Sequence, residues 1–161
     1  MASHLQRFKD AQDQAVAGFE SALSEMRSGA KRSHWIWYVF PQLSGLGQSA
    51  AALTYGLRDI SEAREYLCDS LLRARLLLIA SAVAEQIGPE RKTSLPRLMG
   101  STIDVTKLVS SMTLFGSLAK QLHAEEGGDE YAAIARVADE ILSVAKTAGY
   151  SPCQFTLDQL Q

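Results

Sequence analysis

Lys31-Arg32-Ser33-His34-Trp35-Ile36-Trp37-Tyr38-Val39-Phe40-Pro41-Gln42-Leu43 carries both tryptophans of the chain, with a tyrosine, a phenylalanine, a histidine and two cations. Aromatic residues are 7% of the whole sequence, yet four of the six positions 35–40 are aromatic. How this run folds decides the fold class. By propensity and length it reads as a strand bounded by Ser33 and Pro41. A lone strand leaves its backbone groups unpaired, however, and no other segment reads as its partner. Ser33 is a good N-cap, and a helix opened there puts His34, Trp37 and Tyr38 on one face. The run is therefore read as a short, largely buried helix.

Working outward, helical spacing recurs on both sides. Val16, Phe19, Ala22, Leu23 and Met26 define an amphipathic helix from Asp13, with Gly29 just past its end. Gly18 falls inside it at a cost of about 1 kcal/mol against alanine. Residues 41–47 are turn-rich. A short helix follows at 49–55 and ends at Gly56, and Ser61 is a candidate cap for 62–67. Asp69 or Ser70 opens a helix carrying leucines at 71, 72, 76, 77 and 78, more than one stripe, which marks it as the central helix. Thr102 or Asp104 caps a helix through Val105, Leu108, Val109, Met112 and Phe115. The acidic turn at 125–129 precedes another, through Tyr131, Ile134, Val137, Ile141 and Val144. The tail from Ser151 has room for a last turn. No repeat or domain-sized linker interrupts the chain. The expectation is all-α: a single compact multihelical domain over residues 1–161, with no significant sheet.

The 47% hydrophobic and 21% charged composition is that of an ordinary globular chain. A net charge of -2 argues against generic nucleic-acid or anionic-membrane binding. The most apolar run, 71–87, is too short and too charged to span a bilayer. The N-terminus shows no apolar signal region, and Cys68 and Cys153 form no CxxC, so a reducing cytoplasm is the expected address. His4 and His123 lie far from His34 without ligand spacing; no metal site and no cofactor are expected.

Two constellations carry candidate chemistry. In the first, His34 is an acid-base candidate, and the dipole at a helix start disfavours its imidazolium form. Lys31 and Arg32 can hold phosphate or carboxylate; Trp35 and Trp37 can stack a ring; Gln42 is a further polar contact. The plainer accounts are a satisfied buried histidine, a solvated pair of cations and an aromatic core. In the second, residues 104–115, Asp104 and Lys107 stand three apart, and Lys107, Ser110 and Ser111 share a helix face. A lysine beside hydroxyls binds phosphate or, desolvated, acts as a base. A surface ion pair with two solvated serines is the plainer account. No Walker loop, Rossmann fingerprint, G-x-S-x-G or H-E-x-x-H is present.

The string Lys31-Arg32-Ser33-His34-Trp35-x-Trp37-x-x-Phe40-Pro41-Gln42-Leu43-x-Gly45-Leu46-Gly47, with Ser110-Ser111-Met112-Thr113-Leu114-Phe115, resembles bacterial domain-of-unknown-function family 1810 from Leu5 through at least Phe115. The resemblance implies a compact helical fold like that of the family's mycobacterial member, and no established activity. Members are sometimes labelled "calpastatin", but calpain inhibitors are disordered and this composition is that of a packed core. Where members usually carry His-Pro after Glu-Ala-Arg-x-Tyr-Leu, this chain has Asp69-Ser70, so that histidine is not expected to be essential. The part after Gly116 matches less specifically and reads as local elaboration. A far weaker resemblance is to the NADAR (NAD- and ADP-ribose-associated) proteins, linked to N-glycosidic bond hydrolysis.

The functional expectation is a pocket where the two motifs meet, holding a small-molecule or nucleotide-derivative ligand of ADP-ribose type. His34, Asp104 and Lys107 would be its catalytic candidates if it hydrolyses that ligand. Lys31, Arg32, Trp35, Trp37, Gln42, Ser110 and Ser111 would be its binding residues. The alternative is a non-catalytic interaction module in which both motifs serve packing.

Overall fold

Helix starts in this chain are set by short polar side chains. Ser49, Asp59, Asp69, Ser94 and Ser101 each accept a hydrogen bond from a backbone N–H two or three residues onward. The computed structural model describes residues 4–90 and 93–161. Among these described residues ten helices follow in order: α1 (Gln6–Gln12), α2 (Phe19–Ser28), α3 (Ile36–Val39), α4 (Ala50–Tyr55), α5 (Ile60–Cys68), α6 (Ser70–Ile87), α7 (Leu95–Met99), α8 (Thr102–Glu126), α9 (Asp129–Thr147) and α10 (Gln154–Gln159). Strand pairing among the described residues is a single bridge between Leu43 and Leu57. The fold is all-α, and the aromatic run is helical as expected.

The centre of the molecule is α8. Residues 108–116 are all buried, because α9, α7, α5, α10 and α3 pack around that helix. Gly127 and Gly128, both at positive φ, reverse the chain so that α9 returns along α8. Gly116 lets the two helices approach: a Cβ there would stand 2.9 Å from the Cβ of Ala138. On the far side of α9 lies α6, and α2 packs on α6. The expectation that α6 is the central helix is thus corrected. Leu72 and Leu76 are buried, but Leu71 and Leu78 are 41% and 43% exposed, so α6 covers the core rather than occupying it.

Four local expectations also change. The helix expected from Asp13 starts at Phe19, since Ala17 takes a positive φ of 59° and Gly18 is extended. A Cβ on Gly18 would stand 2.0 Å from the Gln14 carbonyl oxygen, and Val16 is left 80% exposed. Asp59, not Ser61, caps α5, and Ser101 caps α8. Finally, α3 is only four residues long and starts after Trp35, with no side-chain cap. Ser33 is engaged elsewhere, by Glu25, so His34 precedes the helix and the dipole argument about its charge does not apply.

Candidate functional site

The segment before α3 is held from below by one carboxylate. Glu25 of α2 accepts from the Arg32 N–H (2.7 Å), the Ser33 N–H (2.9 Å), the Ser33 hydroxyl (2.6 Å) and the Trp35 Nε1–H (2.9 Å). Burial alone would push this carboxyl up, but the four donors outweigh it and bring its pKa down to about 2. Trp35 is thereby fixed in the core, fully buried, with Phe40 6.3 Å away ring to ring.

Lys31 is the second anchor. Its ammonium pairs with Asp104 of α8 at 2.9 Å, donates to the Ser33 carbonyl and lies 5.0 Å from the Trp35 ring centroid. The Lys31 side chain is 6% exposed and that of Asp104 18%, so this is a largely buried bridge between the two sequence motifs. The solvated pair of cations is corrected for Lys31, while Arg32 is exposed and uses only its backbone N–H here. The expected Asp104–Lys107 pairing gives way to Asp104–Lys31.

What remains is a cavity. Trp37, Gln42, Tyr55 and Lys107 line it, with Phe40, Ala52 and Gly56 completing the wall. Its volume is about 10 Å³, room for one oxygen-sized occupant. The Trp37 Nε1–H is buried without an acceptor. Gln42 is 8% exposed and its side chain makes no hydrogen bond among the described residues, although its backbone carbonyl accepts from the Leu57 N–H at 2.9 Å. Neither the Lys107 ammonium nor the Tyr55 hydroxyl has a partner among the described residues. Tyr55 is placed by ring contacts with Tyr38 (5.1 Å) and Phe8 (6.1 Å). A flap of residues 44–56, containing α4, covers the cavity. Hydrogen bonds of the Ser44 N–H to the Leu57 carbonyl (2.8 Å) and of the Leu57 N–H to the Gln42 carbonyl clasp its base.

The motifs therefore converge, but not with every expected member. Trp37, Gln42 and Lys107 meet at one cavity. His34 is exposed and does not line it, nor does Asp104. Trp35 lies beneath in the core. Ser110 donates to the Thr106 carbonyl (3.0 Å) and faces a separate cleft beside Cys153, of about 310 Å³. Ser111 is fully buried and its hydroxyl has no partner. Tyr55 and Glu25 were not anticipated from sequence. Both act across segment boundaries, and neither is flanked by anything but ordinary helix residues. A larger groove of about 720 Å³ runs between α6 and α9, floored by Ala84, Ile87, Pro89 and Val144, away from both motifs. Among the described residues no helix is long and apolar enough to cross a membrane.

No curated protein matches the chain. It is similar to the solved structure of a conserved hypothetical protein, Rv1873, from Mycobacterium tuberculosis. The two are 32% identical with a TM-score of 0.69, over 96% of this chain and 94% of that one. That coverage runs well past Gly116, so the C-terminal helices are shared architecture rather than local elaboration. The profile of the family described as "Protein of unknown function (DUF1810)" matches residues 2–133. With most of its length matched, the chain belongs to the DUF1810 family.

Proposed function

We propose that the protein binds a small metabolite of nucleotide or ADP-ribose type where Trp37, Gln42 and Lys107 meet under the 44–56 flap. The observation that carries this reading is the Trp37 indole N–H, buried without an acceptor at a cavity that Gln42, Tyr55 and Lys107 also line with no partner among the described residues. Buried polar groups are nearly always paired, so the orphaned Trp37 N–H calls for an acceptor, which the neighbouring Gln42, Tyr55 and Lys107 donors can share. Binding is favoured over hydrolysis, because Asp104 is engaged by Lys31 and His34 stands apart from the cavity. The ligand class follows the NADAR resemblance read from the sequence, to which the family match and the structural neighbour add nothing. The free Cys68 and Cys153 agree with a reducing cytoplasm as the address.

A second reading, an interaction module whose motifs only pack, is favoured by the complete burial of Trp35 and Phe115. A thermal-shift screen with nucleotides, NAD and ADP-ribose separates the two. Binding predicts a ligand-dependent rise in Tm that Lys107→Ala abolishes and His34→Ala preserves. Absence of any shift returns the motifs to packing.

A further inference from the structure

Resting on that site, we infer that the group it recognises is an oxyanion, a phosphate or carboxylate, one oxygen of which enters the cavity. The inventory of unpaired groups is biased to donors. The Lys107 ammonium and the Trp37 indole N–H can only donate, and Tyr55 and the Gln42 amide each have a donor to offer. An occupant satisfying all four must accept. No Asp or Glu lines the cavity, so the charge of Lys107 has no counterion there.

The nearest acid in sequence, Asp104, is drawn off by Lys31 at 2.9 Å. Lys31 thus does more than join the motifs. By holding Asp104 it leaves Lys107, one helical turn along α8, available to an external anion. The size of the cavity decides which part of a ligand goes in. About 10 Å³ excludes a base or a ribose ring and admits a single oxygen, with the rest of the group toward the half-exposed Trp37 and Lys107. A compact ammonium beside an aromatic N–H is suited to such point recognition.

The test uses the intrinsic fluorescence of the full chain, whose only two tryptophans are Trp35 and Trp37. Inorganic phosphate and acetate are titrated in parallel at constant ionic strength, with chloride as the balancing salt. The expected result is a saturable emission change with at least one of them, absent in Trp37→Phe. Whichever anion binds tighter identifies the source as phosphate or carboxylate. Lys107→Met is expected to weaken apparent affinity about ten-fold or more, with Lys107→Arg recovering part of it. If neither anion gives a saturable change, or if a folded Lys107→Met titrates like the parent, the oxyanion inference is overturned and the cavity holds a water. ADP-ribose raising Tm while both anions stay silent would sink this inference and leave the binding site standing. Saturation by phosphate or acetate with no response to any nucleotide would keep the oxyanion inference and remove the nucleotide or ADP-ribose ligand class.

Discussion

Glu25 receives four donors on one carboxylate, and three of them come from the Ser33–Trp35 stretch of the first motif. Its pKa of about 2 in the folded chain lies below the ordinary 4.5. A carboxyl depressed on folding stabilises the native state above its unfolded pKa, and that contribution fades as pH falls from about 4.5 toward 2. Glu62 and Asp69, whose carboxyl pKa values are also lowered, likewise lose stabilisation as pH falls through their folded-state values. Burial opposes their charge, but hydrogen bonds from Arg7 and the Arg58 N–H, and from Lys9 and the Leu72 N–H, hold both carboxyls down. Glu25→Gln keeps the shape and loses the charge. It is expected to lower stability at pH 7 by about 1–3 kcal/mol, the usual worth of charged hydrogen bonds to buried groups. Urea melts across pH 2–7 would show a shallower acid limb in the variant. An unchanged pH profile would mean that the carboxylate does not anchor the aromatic segment. None of this was visible in sequence, where Glu25 reads as one more polar residue on the solvent side of an amphipathic helix.

Among the elements, α8 and α9 meet closely where Gly116 faces Ala138. Alanine is the better helix former by about 1 kcal/mol, so propensity alone predicts that Gly116→Ala stabilises. The 2.9 Å approach of its Cβ to that of Ala138 predicts the opposite, because two packed backbones must separate. The expected net result is a loss of about 1–3 kcal/mol, read as a lower Tm without loss of helical circular dichroism. The long helices α6, α8 and α9 were legible because their apolar residues recur for four or more turns. The break between α1 and α2 was not. Val16 continues the helical spacing of Phe19 and Leu23, and only the backbone conformations of Ala17 and Gly18 interrupt it. The site was half legible for a related reason. Trp37, Gln42 and Lys107 stand out within their motifs, whereas Tyr55 joins them only because the flap folds back over α3.

On the scale of the molecule, stability is distributed unevenly around the cavity, and that bears on how a ligand enters. One wall is α8, buried from 108 to 116 and packed on every side. The opposite wall is the flap, where only Ala52 is buried and Leu53 is 69% exposed. At its C-terminal end the flap is tied down by the Arg7 guanidinium, which donates to the Thr54 and Gly56 carbonyls at 3.0 and 3.1 Å and pairs with Glu62 at 2.9 Å. A segment so lightly packed opens locally at far lower free energy than global unfolding, while the middle of α8 cannot be exposed without dismantling the fold. Native-state hydrogen exchange should therefore find the α4 amides, such as the Leu53 N–H bonded to the Ser49 carbonyl, exchanging at least about a hundred-fold faster than those of residues 108–116. Equal protection of the two walls would show that the flap opens only when the whole protein unfolds, which would rule out the flap as the route in. If the flap is the route, a bound ligand should slow exchange in α4 selectively and leave α9 unchanged. Arg7→Met, by releasing the flap's C-terminal tie, should speed α4 exchange without altering the order in which the remaining helices are protected.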